Sequence, residues 1–288
     1  MVDETRKRLF VVLGMHRSGT SALTRALPAF GIDLGDRLMP AVEGDNDKGF
    51  WEDLAVNQLN EALLAALGAD WHSVGPLPEA DFERGDILAL RTRGRDLLAG
   101  KTADCAAYGM KDPRICRLLP FWKPIFRDLN LETFYLLAIR NPLSVAHSLA
   151  VRNGLPKEQS FELWMQYMLE ALSGTQGETR LCVDYDELML DAPRQLKRLG
   201  RFLKLRSDEV AARDFAAQFL EERLRRARFF MGDLEAEVGS ASEVCELYSL
   251  LRRAAIGDRP AMDSIGLNVA DSLWFAKLNQ ASIHRNEA

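Results

Sequence analysis

The hydrophobic positions of this chain form short continuous runs, which are separated by longer stretches where apolar and polar residues are mixed. The apolar runs lie at residues 9–13, 106–110, 133–139 and 181–183. Runs of this kind are typical of strands that are buried on both faces. Because stretches with helical spacing lie between them, the pattern predicts a parallel sheet with flanking helices.

The helices are predicted from capping residues and from apolar spacing. Asp53 can cap a helix that ends before Gly68, and Pro142 and Pro193 suit the first turns of two others. From about Ser207 the chain is helical and charged. Further helices are expected at residues 20–30, 87–98, 243–256 and 272–281.

The loop after the first strand has the glycine spacing of a phosphate-binding loop. Gly14 and Gly19 are separated by four residues, and Thr20 and Ser21 follow. Thr20 stands where nucleotide triphosphatases have a lysine, and the cation of this loop is Arg17. Backbone N–H groups at a helix N-terminus form an anion site. The loop therefore predicts a phosphate-bearing ligand and a reaction other than ATP hydrolysis.

Three other functional candidates lie where predicted strands end. Lys111, Arg140 and Tyr185 each stand at or directly after a strand, and ligands of parallel α/β sheets bind beyond these ends. Arg140 and Ser148, two turns into the next helix, can converge on one phosphate group. Alternatively, Arg140 caps the helix and Ser148 is a buried core residue, while Tyr185 is a core aromatic.

These motifs resemble those of the sulfotransferases that use 3′-phosphoadenosine 5′-phosphosulfate (PAPS). Residues 14–21 are similar to that family's 5′-phosphosulfate loop, in which a Lys or Arg precedes Ser-Gly-Thr. Arg140 with Ser148 is similar to its 3′-phosphate motif, and residues 183–188 resemble its Tyr-Glu-Asp-Leu segment. The resemblance implies transfer of a sulfuryl group from PAPS to a hydroxyl or amine, with 3′,5′-adenosine bisphosphate (PAP) as product and no metal.

The resemblance extends over residues 9–228 and implies a P-loop-like three-layer α/β/α fold with a central parallel sheet. The chain is expected to form one domain over residues 1–288, with a helical extension over 229–288. The implied cofactor-binding residues are His16, Arg17, Ser18, Gly19, Thr20, Ser21, Arg140, Ser148, Tyr185, Arg225 and Arg226. Arg225 and Arg226 belong to a late basic segment, which is alternatively the solvated face of a helix.

The resemblance also implies catalytic roles. Arg17 and Lys111 are the cations that would stabilise the transferring group, since charge builds on the leaving phosphate oxygen. Pro113 stands where the family's cytosolic branch has a catalytic His. Glu52 is the first candidate for the general base that the acceptor needs, because Phe50 and Trp51 precede it as in bacterial members. Asp112 and Glu43 are the alternative bases, and His72 is a candidate for the acceptor pocket.

The composition and charge of the chain bear on its binding partners and its cellular setting. The net charge of −5 and the pI of about 5.6 argue against general nucleic-acid binding and against a basic membrane-surface role. No apolar stretch approaches the roughly 18 residues of a membrane span. The four cysteines have neither zinc nor redox spacing, which favours a reduced, cytoplasmic setting. A carbohydrate, lipid or small-metabolite acceptor is favoured over a protein.

Two other functions compete with sulfuryl transfer. A P-loop nucleotide kinase or NTPase would need a Lys after Gly19 and a magnesium-binding carboxylate at a strand end, whereas the strand ends at Lys111 and Arg140 are cationic. A non-catalytic relative would bind the nucleotide without transferring a group.

Overall fold

The central sheet has the strand order β2-β1-β3-β4, and all of its pairings are parallel. The computed structural model describes residues 6–43, 46, 49–219, 229–239 and 242–257. Within them the strands are β1 (Arg8–Leu13), β2 (Ala107–Lys111), β3 (Glu132–Ile139) and β4 (Arg180–Asp184). The four predicted strands and their parallel arrangement are therefore confirmed.

Helices cover both faces of this sheet, because alternate residues of the strands are buried on opposite sides. Leu9, Val11 and Leu13 of β1 belong to one apolar core, while Phe10 and Val12 belong to the other. All five side chains are fully buried. The predicted three-layer α/β/α architecture is confirmed.

One helical layer consists of short helices packed against the face of Phe10 and Val12. It contains α1 (Thr20–Ala26), α7 (Tyr185–Leu190), α8 (Ala192–Leu203) and α9 (Glu209–Asp214).

The opposite layer contains mostly longer helices. These are α2 (Leu54–Ala66), α3 (Gly85–Thr102), α4 (Ile115–Asp128), α5 (Pro142–Asn153), α6 (Lys157–Gly174), α10 (Met231–Val238) and α11 (Glu243–Ala255). None of the helices in the described ranges is both long and apolar enough to cross a lipid bilayer.

Two parts of the helix prediction differ from the structure. The helix expected over residues 20–30 ends at Ala26, and Leu27–Phe30 forms a 3₁₀ turn, because Pro28 has no N–H to continue the α-helical pattern. Helices α4 and α6 were not predicted. The helix expected at 272–281 lies outside the described residues.

Candidate active site

The carboxyl ends of the four strands meet at one edge of the sheet, and the candidate residues lie there. The loop from Gly14 follows β1, Lys111 ends β2, Arg140 follows β3, and Tyr185 follows β4. The parallel register of β1 with its two neighbours brings the first three of these ends side by side. The sequence prediction that these residues share one site is consistent with this placement.

The loop after β1 needs glycine at two positions for steric reasons. Gly14 and Gly19 have φ angles of 144° and 85°. A Cβ on Gly14 would lie 2.4 Å from the carbonyl oxygen of Ala138, and a Cβ on Gly19 would lie 2.2 Å from Cδ2 of Tyr185. Both contacts are too short, so the glycine spacing that identified the loop is imposed by its packing.

Arg17 also has a left-handed backbone conformation, with φ at 68°. A non-glycine residue held there costs on the order of 1–3 kcal/mol and is found preferentially at functional sites. This conformation turns the loop towards Gly19, which caps α1. The result is a tight turn with backbone N–H groups at a helix N-terminus, as an anion site requires.

Two polar side chains of the loop are buried without a hydrogen-bond partner among the described residues. They are Ser18, whose Oγ is inaccessible to solvent, and His16, whose Nε2 is inaccessible as well. Most buried polar atoms in proteins have a partner, so such groups point to a ligand. The imidazole of His16 packs 4.8 Å from the ring of Trp71, and burial, together with the nearby Arg114 and Lys111, lowers its pKa well below its ordinary value.

The candidate residues for the two phosphate groups contact each other directly. Nε of Arg17 donates a hydrogen bond to Oγ of Ser148 at 2.8 Å, and Nη1 of Arg140 donates to the carbonyl oxygen of Arg17 at 3.2 Å. The guanidinium of Arg140 lies 4.7 Å from the ring centre of Tyr185. These residues come from the loop after β1, from the end of β3 and from α5, and from the start of α7 directly after β4. They form one cationic cluster.

Glu52 and Lys111 form a buried ion pair beside this loop. Nζ of Lys111 lies 2.6 Å from Oε1 of Glu52, and it also donates to the carbonyl oxygen of Phe50 at 2.8 Å and to Oγ of Ser21 at 3.3 Å. Both residues are only 4% exposed. Burial raises the pKa of Glu52 against the opposing effect of Lys111. Two of the three predicted catalytic residues are therefore in contact.

The position of Glu52 follows from the start of α2. Oδ1 of Asp53 accepts hydrogen bonds from the backbone N–H groups of Ala55 and Val56, at 2.9 and 3.2 Å. The predicted N-cap is thus confirmed, and Oδ2 of Asp53 also pairs with Lys101 at 2.6 Å. With its neighbour fixed in this way, the side chain of Glu52 is directed into the protein.

The remaining candidates differ in where they lie. Thr20 is buried in the first turn of α1, Glu43 is exposed, and His72 lies next to Asp70, with 3.1 Å between Nδ1 and Oδ1. Arg225 and Arg226 lie outside the described residues. Among the residues that are described, no group of three or more His, Cys, Asp or Glu side chains is arranged to hold a metal ion.

Two polar residues of α2 that sequence reasoning missed lie beside the ion pair and the neighbouring Asp112. Asn57 donates to Oε2 of Glu52 at 2.9 Å, and Asn60 donates to Oδ2 of Asp112 at 3.0 Å. Both asparagines are buried on the face of α2 that otherwise carries leucines. Two asparagines three positions apart on the apolar face of a predicted helix are a sequence signal that could have identified these residues.

A second missed feature is the loop that carries Trp71. The side chain of Arg117 is fully buried and donates to the carbonyl oxygens of Asp70, Ser73 and Gly75, at 3.3, 2.8 and 2.6 Å. The hydroxyl of Tyr167 donates to the carbonyl oxygen of Trp71 at 2.6 Å. These bonds hold the ring of Trp71 against His16. We refer to residues 70–75 as the Trp71 loop.

Neither a protein-family model nor a curated protein sequence matches this chain. Similar solved structures include the sulfotransferase domain of the olefin synthase from Synechococcus, with 15% identity, a TM-score of 0.46, and 94% of this chain and 98% of that chain covered. A sulfotransferase domain from the curacin biosynthetic pathway has 16% identity and a TM-score of 0.42, covering 71% and 76%. A sulfotransferase from Mycobacterium tuberculosis has 14% identity and a TM-score of 0.41, covering 75% and 72%.

Proposed function

We propose that this protein is a sulfotransferase that uses PAPS as donor and transfers its sulfuryl group to the hydroxyl or amine of a carbohydrate, lipid or small-molecule acceptor. The observation that carries the proposal is the cluster of Arg17, Arg140, Ser148 and Tyr185 around a glycine loop without a triphosphate lysine. Such a cluster offers two cations and an aromatic ring to one ligand. A nucleotide with phosphate groups at both its 3′ and 5′ positions has the matching chemistry.

The residues of the loop fit the 5′ side of this donor. The turn at Arg17 and Gly19 presents backbone N–H groups, and the buried hydroxyl of Ser18 has no hydrogen-bond partner among the described residues. Anionic oxygens would satisfy these donors. The guanidinium of Arg17 and the hydroxyl groups of Thr20 and Ser21 would complete the 5′ site. His16 would line the loop with a neutral imidazole.

The 3′-phosphate would bind Arg140 and Ser148, because guanidinium and hydroxyl groups form strong hydrogen bonds to phosphate. Tyr185, whose ring lies next to both Gly19 and Arg140, would pack near the adenine. The proposed ligand therefore runs from the loop after β1 towards the end of β4. Arg225 and Arg226 remain proposed contributors.

The chemistry of the donor is an in-line displacement, in which the acceptor oxygen or nitrogen bonds to sulfur and the bond from sulfur to the 5′-phosphate oxygen breaks. Arg17 and Lys111 would stabilise the negative charge that remains on that phosphate oxygen. Glu52 would take the proton of the acceptor as it attacks. The ion pair with Lys111 keeps Glu52 in the site, and its raised pKa makes it a stronger base than an exposed carboxylate.

The proposal is tested by incubating the protein with ³⁵S-labelled PAPS and a panel of carbohydrate, lipid, small-alcohol and amine acceptors. We expect label to appear on one acceptor class, with one PAP formed per label transferred. Binding of PAP without transfer to any acceptor would favour the non-catalytic relative.

The same assay tests the role of Glu52. We expect Glu52→Gln to bind PAP as tightly as the wild type and to transfer label at least roughly 100-fold more slowly, since general bases contribute about 10²–10⁴-fold. Glu209→Gln, on an exposed carboxylate in the first turn of α9, is the matched control and should transfer at the wild-type rate. A wild-type rate in Glu52→Gln would exclude Glu52 as the base.

A further inference from the structure

A single amide group connects the proposed base to a second buried carboxylate. Nδ2 of Asn57 lies 2.9 Å from Oε2 of Glu52 and 3.5 Å from Oδ2 of Asp112. Glu52 is 4% exposed and Asp112 is fully buried. Two carboxylates in one buried site are costly unless each has a function or a full set of partners.

Asp112 has a full set of partners within the protein. Its Oδ1 accepts from the backbone N–H of Arg114 at 2.9 Å and from Nη1 of Arg114 at 3.1 Å. Its Oδ2 accepts from Asn60 at 3.0 Å, and Oδ1 of Asn60 in turn accepts from Nε1 of Trp122 at 2.9 Å. A carboxylate so enclosed cannot touch an acceptor molecule, so it is not the base itself.

The charge of Asp112 nevertheless acts on Glu52. Lys111 and, at 3.9 Å, Arg114 both favour the ionised form of Glu52 and so weaken it as a base. A neighbouring negative charge has the opposite effect, because two like charges in one buried site resist being present together. Burial is the largest cause of the raised pKa of Glu52, and the charge of Asp112 adds to it.

We infer that Asp112 is a positioning residue for the proton-accepting step: through Asn57 it holds the carboxylate of Glu52 in place, and it puts a second negative charge beside that carboxylate. The inference rests on the proposed function, in which Glu52 takes the proton of the acceptor. It gives a role in catalysis to buried polar residues of α2 and to the residue directly after β2, although none of them contacts the substrate.

The test measures the protonation of Glu52 directly, so that no acceptor has to be known. In protein labelled with ¹³C in its glutamate carboxyl groups, the signal that disappears in Glu52→Gln is assigned to Glu52 and followed between about pH 4 and 8. We expect Asp112→Asn to lower its midpoint by at least about half a pH unit. Glu61→Gln is the matched control, because Glu61 pairs with the same Arg114 at 2.9 Å but is 58% exposed.

The kinetic readout is the release of ³⁵S-sulfate from labelled PAPS with water as the acceptor. We expect Asp112→Asn to slow this release about tenfold at neutral pH and to move the acid limb of its pH profile downwards, with unchanged PAP affinity. Asn57→Leu, of similar volume, breaks the connection and keeps both carboxylates. We expect it to slow release as well, and it serves as the second variant if Asp112→Asn does not fold.

The outcomes separate the inference from the proposed function. If Asp112→Asn and Asn57→Leu keep the wild-type midpoint and rate while Glu52→Gln is inactive, the inference is wrong and the function of Glu52 stands. If Glu52→Gln releases sulfate at the wild-type rate, the role of Glu52 fails and the inference fails with it. If PAP does not bind, the proposed function fails as a whole.

Discussion

The ring of Tyr185 occupies the space that a side chain on Gly19 would need, since a Cβ there would lie 2.2 Å from its Cδ2. The two residues are 166 positions apart, and they join the loop after β1 to the end of β4. The proposed 5′-phosphosulfate site and the proposed adenine site are therefore in contact. A nucleotide that fills both sites would bind across the contact between the loop after β1 and the end of β4.

Replacing Gly19 should therefore disrupt nucleotide binding. Gly19→Ala would displace either the Tyr185 ring or the loop, and we expect PAP affinity to fall at least about tenfold, corresponding to about 1.4 kcal/mol. Titration calorimetry measures the change. Gly31→Ala is the matched control, because Gly31 also has a positive φ, at 71°, but no atom lies within 4 Å of the added Cβ. It should lose about 1–2 kcal/mol of stability and keep its PAP affinity.

Arg140 should distinguish nucleotides by their 3′-phosphate. Hydrogen bonds to charged groups contribute about 1.5–3 kcal/mol, so Arg140→Ala should weaken PAP binding by roughly 10- to 100-fold. Adenosine 5′-monophosphate has no 3′-phosphate, and its affinity should change much less. The control is Arg93→Ala, because Arg93 is an exposed residue of α3. This variant should bind both ligands with the wild-type affinity. Equal losses for the two ligands would place the 3′-phosphate elsewhere.

Arg117 should be important for stability because it holds the Trp71 loop and pairs with the largely buried Glu170 at 3.2 Å. Burial raises the pKa of Glu170, and the charge of Arg117 opposes this rise. Arg117→Met leaves that charge unpaired and should lower the free energy of unfolding by about 3–5 kcal/mol. Adding Glu170→Gln should recover part of the loss in urea unfolding.

Two comparisons serve as controls for Arg117: a substitution in an exposed ion pair, and the stability of the double variant relative to that of Arg117→Met alone. Arg95 pairs with Asp96 at the surface, and Arg95→Met should change stability by no more than about 0.5 kcal/mol. A double variant that is less stable than Arg117→Met alone would contradict the unpaired-charge explanation.

Asp184 should make stability fall as the pH rises through the mildly acidic range. This carboxylate caps α7 from the buried end of β4, and burial raises its pKa to about 6. In the unfolded chain an Asp ionises near pH 3.9, so between about pH 4 and 6 the unfolded state loses its proton first. The free energy of unfolding should therefore decrease by about 3 kcal/mol over this range.

Asp184→Asn isolates this contribution, because Asn also caps helices and does not titrate. Relative to the wild type, the variant should gain stability between pH 4 and pH 7 in urea unfolding. A difference in stability that does not vary with pH would mean that Asp184 has the same proton affinity in both states.

The sheet and the phosphate loop could be predicted because their signals are local. A continuous apolar run identifies a strand such as β1, and the glycine spacing of the loop is visible within eight consecutive residues, although the packing that requires Gly14 and Gly19 involves distant residues. Helices α4 and α6 could not be predicted in this way. Helix α6 has buried residues on nearly every side, and α4 contains Pro120 and Pro124, which normally argue against a helix.

The ion pair and its surroundings could be predicted only as separate residues. Glu52 and Lys111 are 59 positions apart, and their contact depends on how the start of α2 is placed beside the end of β2. The same docking brings Asn57 to Asp112. No pattern along the chain encodes such a distance. The sequence could rank Glu52 ahead of Asp112 and Glu43 as the candidate base only through its resemblance to bacterial sulfotransferases, and it could not show which of the three carboxylates is accessible. The exposure of Glu43 and the enclosure of Asp112 in the structure favour Glu52.

The most direct test of the proposed function is a comparison of PAP with ATP–Mg²⁺ by titration calorimetry on the purified chain. The cationic cluster of Arg17, Arg140 and Ser148, together with Thr20 in place of the triphosphate lysine, predicts that PAP binds at least about 100-fold more tightly, a difference of about 2.7 kcal/mol. Tight binding of ATP–Mg²⁺ with weak or absent binding of PAP would contradict the account and identify a nucleotide kinase or NTPase instead.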